Sequence, residues 1–179
     1  MALKEEKVIV VDPDKCTGCH SCEMACSIKH FNKCHSYLSR IRIQEFRDVN
    51  TFIPVVCQAC EDAPCIKVCP MNARVRLDSG AVVTQDDRCI GCRACTYACP
   101  FGASVVNPEN GKTMSCDLCM GDELGPWCVK ACTMQKALQF VRAQDAARAK
   151  GRDLAKIIAA DYMPPKQDDG GDFAFSFSC

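Results

Sequence analysis

Sixteen of this chain's eighteen cysteines stand in four tight groups of four, and that grouping limits what the chain can fold around more than any other feature. Group one is Cys16, Cys19, Cys22 and Cys26, spaced C-x2-C-x2-C-x3-C. Group two is Cys57, Cys60, Cys65 and Cys69, spaced C-x2-C-x4-C-x3-C and followed by Pro70. Group three is Cys89, Cys92, Cys95 and Cys99, with the spacing of group one and Pro100 behind it. Group four is Cys116, Cys119, Cys128 and Cys132, spaced C-x2-C-x8-C-x3-C. Cys34 and Cys179 fall outside the groups.

Three cysteines at steps of three let one short loop wrap a cubane [4Fe–4S] cluster and offer it three thiolates. A fourth cysteine, four residues on, is expected to begin a helix that points away, and so ligates the other cluster of a pair. Proline after it suits the first turn of a helix or ends the loop. Applied to groups two and three, this exchange gives site A as Cys57, Cys60, Cys65 and Cys99, and site B as Cys89, Cys92, Cys95 and Cys69. Groups one and four remain as the second pair: site C is Cys16, Cys19, Cys22 and Cys132, and site D is Cys116, Cys119, Cys128 and Cys26. A disulfide framework has no need of such short steps, and structural zinc favours two C-x2-C pairs on a longer arm. Group four alone keeps a zinc-ribbon reading open.

Hydrophobic content is 48%, but it falls to about 38% once cysteine is removed. A core that thin needs staples, which metal ligation supplies. Each oxidised site would carry a charge of −2, so four sites add about −8 to a formal charge of zero. Lys15, Lys29, Arg88 and Arg93 lie near the loops and are candidates to offset it. His20, His30 and His35 surround group one, whose ligand complement is already full. Cys34 is expected to be a buried or half-exposed thiol, and Trp127 a packing residue.

Short β-rich runs separate the groups. Lys7–Val11, Ile41–Phe46, Thr51–Val56 and Ala137–Val141 read as strands. Asn72–Thr84 and Ala103–Met114 read as hairpins turning at Asp78-Ser79-Gly80 and Asn107–Gly111. The fold expected is α+β: two ferredoxin-like modules nested as a pseudo-repeat around four clusters. The inner module spans about 53–107 and the outer one comes from the flanks, within a domain of residues 1–143. Residues 144–179 form a C-terminal helix near Asp153–Tyr162 and an extended tail. In that tail Phe173, Phe175 and Phe177 alternate with small residues, as on a strand that docks on a partner.

Balanced charge argues against nucleic acid, and no run approaches the ~18 apolar residues of a membrane span. The N-terminus shows no signal peptide, so a cytoplasmic location is expected, with export beside a signal-bearing partner left open. No motif for nucleotide binding, nucleophilic catalysis or zinc hydrolysis is present. The chain is therefore expected to move single electrons and to turn over no substrate.

The run from Cys89 through Ile90, Gly91, Cys92 and Cys95 to Cys99-Pro100-Phe101-Gly102-Ala103, with Cys116, Cys119, Cys128 and Cys132 downstream, resembles the four-cluster electron-transfer subunits of molybdenum and tungsten oxidoreductases. The compact versions serve tungsten aldehyde oxidoreductase-like enzymes, including class II benzoyl-CoA reductases. The resemblance spans residues 7 to about 141. It supports pairing group one with group four, and it implies a large catalytic subunit with a molybdenum or tungsten pterin and an external electron donor or acceptor protein. Ser27 and Thr133 depart from it, standing where the ferredoxin motif has proline. Three other assignments stay open: a free-standing polyferredoxin shuttle, the electron-transfer subunit of a hydrogenase, formate or CO dehydrogenase complex, and a zinc-rich interaction module.

Overall fold

The computed structural model describes residues 7–133 and 136–147. The expected helix at Asp153–Tyr162, the tail phenylalanines Phe173, Phe175 and Phe177, and Cys179 lie outside the described residues. The described residues belong almost wholly to the first of two compact units, Met1–Ala143 and Gln144–Cys179.

The fold is small and α+β. Among the described residues, eight strands make four separate antiparallel pairs. β1 (Lys7–Val11) pairs with β8 (Leu138–Arg142), from Lys7 opposite Arg142 to Val11 opposite Leu138. β2 (Arg42–Phe46) pairs with β3 (Thr51–Val55). β4 (Arg74–Arg76) and β5 (Val82–Thr84) form a hairpin closed by the Gly80 amide on the Leu77 carbonyl. β6 (Val105–Val106) and β7 (Thr113–Met114) form another, with its turn held by the Gly111 amide on the Asn107 carbonyl.

Four helices carry cysteines: α1 (Ser21–Phe31), α2 (Pro64–Lys67), α3 (Ala94–Ala98) and α4 (Trp127–Ala131). They correct one expectation. Each helix begins at or just before the third cysteine of its group, and the fourth lies inside the helix or just past it; the fourth does not begin the helix. Pro70 and Pro100 then act as stops, because proline cannot continue the backbone ladder. Group one has Ser27 at that place, and α1 runs on to Phe31. It closes at Asn32, whose left-handed backbone (φ 53°) and amide on the Ile28 carbonyl make an ordinary helix end. Ser27 is fully buried; its hydroxyl donates to the Lys33 carbonyl and accepts from the His35 amide at 3.1 Å. The residue that departs from the motif thus ties down the loop after the helix.

α1 buries Cys22, Glu23, Cys26 and Ser27 on one face. Glu23 is a buried carboxylate with its acceptors filled: the Ile43 amide donates at 2.7 Å and His20 Nδ1 lies at 2.9 Å. That contact fixes α1 to β2. α1 packs on α4, and α2 packs on α3. The larger core joins Ile9, Ile41, Val56, Leu118 and Leu138 to Cys22, Cys26 and Cys128; a smaller one joins Ala63 and Val82 to Cys65 and Cys95. Cysteine sulfur therefore makes up much of what is buried. No helix among the described residues is long and apolar enough to cross a membrane.

Candidate metal centres

The four cysteine loops share one backbone feature. The residue two places after the first cysteine is left-handed in every group: Gly18 (φ 68°), Ala59 (φ 48°), Gly91 (φ 69°) and Leu118 (φ 60°). In groups one and three a second left-handed residue follows, His20 or Arg93, directly before the helix. Such alternation curls a chain so that successive amides and side chains face one side, the geometry of an anion-binding nest. Gly18 and Gly91 also have no room for a Cβ, which would stand 2.5 Å from the Phe52 ring and 2.8 Å from the Gly111 carbonyl oxygen.

Every described cysteine is a free thiol. Three hollows gather them in fours. One of about 360 Å³ is lined by Cys57, Cys60, Cys65 and Cys99, together with Arg74 and Phe101. A second, of about 320 Å³, is lined by Cys69, Cys89, Cys92 and Cys95. The third, of about 580 Å³, is lined by Cys16, Cys19, Cys22 and Cys132. In each, three cysteines come from one group and the fourth from another. The remaining four, Cys26, Cys116, Cys119 and Cys128, sit where α1 meets α4. Cys26 and Cys128 belong to the larger core, with Cys116 packed against it. Burial pushes the Cys116 and Cys128 thiols far up, and the nearby Cys26 sulfur adds to both shifts. Burial likewise pushes Cys22 up to about 12. Left free, these thiols are protonated; a coordinating metal deprotonates them.

Hydrogen-bond donors face the sulfurs. The amides of Arg40, Ala73 and Leu118 donate to Cys26 Sγ (3.3 Å), Cys69 Sγ (3.3 Å) and Cys116 Sγ (3.4 Å). The Thr113 hydroxyl lies 3.3 Å from Cys95 Sγ and 3.8 Å from Cys89 Sγ. A coordinated thiolate can only accept, so that hydroxyl serves as donor.

The 4Fe–4S dicluster domain matches residues 49–142, and the 4Fe–4S binding domain matches residues 7–27. The chain belongs to the family of 4Fe–4S dicluster domains. This dicluster protein is similar to the polyferredoxin-like subunit of an aliphatic sulfonate oxidoreductase of Pyrococcus furiosus, 36% identical over 90% of this chain and 83% of the relative. It is similar to formate hydrogenlyase subunit 2 of Escherichia coli, 35% identical over 87% of this chain and 92% of the relative. The electron transport protein HydN of Escherichia coli is 38% identical over 70% of this chain and 83% of the relative. Among solved structures it is similar to a chain of the BamBC active-site complex of benzoyl coenzyme A reductase, with 26% identity, 75% of each chain covered and a TM-score of 0.46. The dicluster protein is an electron-transfer protein that binds [4Fe–4S] clusters. Convergent thiols with amide and hydroxyl donors around them are the donor set such a group requires.

Several residues differ from their sequence-based expectation. Cys34 is exposed, 3.4 Å from Met24 Sδ, and joins no group. Lys15 and Lys29 are ion-paired to Asp12 (2.7 Å) and Asp122 (2.5 Å), which reduces the charge they offer to a cluster. Trp127 does more than pack: its indole N–H donates to Asp122 at 2.7 Å, and Lys29 lies over its ring at 5.3 Å, joining α1 to α4. Among the histidines, His20 holds Glu23 and Glu45, and His35 Nδ1 accepts from the Tyr37 amide. His30 lies 3.4 Å from Asp117 and 3.8 Å from Cys119 Sγ.

Sequence reasoning missed two arginines. Arg76 donates to the carbonyls of Ala59 (2.9 Å) and Cys60, clamping the group-two loop to the β4–β5 hairpin. Arg74 is 2% exposed and lines two of the three hollows. Its one sequence signal is an arginine at the start of a three-residue strand, which ordinarily reads as a surface charge.

Proposed function

We propose that this chain holds four [4Fe–4S] clusters, at sites A to D in two nested ferredoxin-like modules, and relays single electrons to or from a large catalytic subunit. The observation that carries this reading is the mixed origin of each hollow's cysteines. Cys99 joins group two, Cys69 joins group three and Cys132 joins group one, as the exchanged ligands of paired cubanes require. Packing of α1 on α4 and of α2 on α3 supports the two modules and the assignment of Cys26 to group four. The left-handed turn shared by all four loops supports a cubane over zinc at group four. When bound, each cluster takes up or gives one electron. The protein's residues fix the spacing, donate hydrogen bonds to sulfur and limit water, and these set the potential.

The relatives support a catalytic partner: the Pyrococcus furiosus relative is a subunit of an aliphatic sulfonate oxidoreductase. The molybdenum or tungsten type, as in aldehyde oxidoreductase-like or benzoyl-CoA reductase enzymes, rests on the resemblance carried by the cysteine runs. Formate hydrogenlyase subunit 2 favours a second assignment, a formate- or hydrogen-linked complex. The chain itself turns over nothing and works in the cytoplasm. Phe173, Phe175 and Phe177 are assigned to docking on the catalytic subunit.

Anaerobic purification from the native host tests the reading. A brown complex is expected, containing this chain and one large subunit, with about 16 iron and 16 sulfide on this chain. Deleting residues 167–179 leaves that iron in place and weakens the complex. A chain that runs alone at full iron content would make it a shuttle, and a colourless chain holding zinc would end the electron-transfer role.

A further inference from the structure

Arg74 is a buried cation. Nη1 donates to the hydroxyls of Thr84 at 2.8 Å and Ser115 at 3.1 Å, and Nη2 lies 3.6 Å from Cys65 Sγ. Nε is buried with no partner. Among the described residues no carboxylate forms an ion pair with it. A guanidinium cannot shed its proton in a protein, so the neutral form that relieves a buried lysine is closed to it. An unpaired buried charge is strongly unfavourable, and its persistence calls for a counter-charge nearby.

The position says where that counter-charge lies. Arg74 lines the hollow of Cys57, Cys60, Cys65 and Cys99 and also the hollow of Cys69, Cys89, Cys92 and Cys95. It therefore stands between sites A and B, fixed by hydroxyls from β5 and from the segment leading into group four. Two filled sites present two centres of −2 to one cation.

We infer that Arg74 is a fixed counter-charge shared by the two inner clusters, holding both at a higher potential than their thiolates alone would set. One electron from an external donor takes a cluster from −2 to −3, and Arg74 stabilises the more negative state without exchanging a proton. Its effect is therefore independent of pH. The other role open to it is that of a structural clamp, joining β4 to β5 and Ser115 through hydrogen bonds without tuning either cluster. The inference rests on sites A and B being filled, which the iron content of the unaltered protein tests separately.

The experiment is a redox titration of the anaerobic holoprotein followed by electron paramagnetic resonance, on wild type, Arg74→Met and Arg74→Lys, with iron measured in each. Arg74→Met is expected to keep its iron while two clusters become at least tenfold harder to reduce, about 59 mV for one electron. Arg74→Lys is expected to stay within threefold of wild type, and both results hold equally at pH 6.5 and 8.5. Unmoved potentials in iron-replete Arg74→Met would overturn the inference. So would Arg74→Lys moving as far as Arg74→Met, or a shift that follows pH. If Arg74→Met loses iron, Arg74→Lys decides: full iron at wild-type potentials upholds the counter-charge, and depleted iron or shifted potentials refute it.

Discussion

The Arg40 amide donates to Cys26 Sγ at 3.3 Å, while the Arg40 guanidinium grips Asp117, the residue after Cys116, at 2.5 Å. One residue thus binds the last cysteine of group one to the loop of group four. Replacing Cys26 by alanine is expected to spare the cluster wrapped by group one and remove the one wrapped by group four. Cys99→Ala does the same to the cluster wrapped by group two. Each variant keeps about 12 of about 16 iron atoms. Spectra that show Cys26→Ala removing the group-one cluster would refute the exchange.

Chelating the iron is expected to unfold the chain. Cys22, Cys26 and Cys128 are part of the larger core, and the described strands come only in pairs. Two-stranded pairs are marginal by themselves, and ligand bonds here stand in for packing. Circular dichroism of the iron-free chain should show no cooperative thermal transition. A sharp one would mean that the polypeptide stands without its metal.

Gly91 and Gly102 separate backbone strain from steric room. Both are left-handed, at φ 69° and 63°, but a Cβ at Gly91 meets the Gly111 carbonyl oxygen at 2.8 Å, and one at Gly102 meets nothing within 4 Å. Gly102→Ala should cost about 1–2 kcal/mol and keep all iron. Gly91→Ala should lose the group-three cluster, about four irons. Equal iron in the two variants would show that the Gly111 contact yields.

Asp122 gives a pH dependence. The Lys29 ammonium, then the Trp127 indole and the Leu124 amide, hold its carboxyl down at about 2. A depressed folded-state pKa means the contribution to stability is complete above the ordinary carboxylate value of about 3.9 and fades as pH falls toward 2. Asp122→Asn should lower the thermal midpoint of the holoprotein by a similar amount at pH 7 and pH 5. A difference that has vanished by pH 5 would refute the assignment.

The cysteine spacing made the loops legible, because four thiols at short steps admit few structures. The strands were legible too, since Val8, Val10 and Val82–Val83 favour extended backbone on any reading. What stayed hidden depends on distance in space. The pairing of Val11 with Leu138 leaves no local mark, nor does the packing of α1 on α4. Arg74 was hidden for another reason: alternation about Val75 points the arginines outward, yet Arg74 is buried and Val75 only half-buried. A counter-charge overrides the polarity rule, and no pattern of apolar residues can announce it.

The ladder between β1 and β8 also sets an order in time. On the proposed assignment, a chain leaving the ribosome has every cysteine of sites A and B once residue 99 has emerged. Sites C and D then wait for Cys132 and Cys128, and the strand beside them ends at Arg142. Over that interval, on the order of seconds, Cys16, Cys19, Cys22 and Cys26 are thiols without partners. On that assignment the first loop to be made belongs to the last sites to be completed.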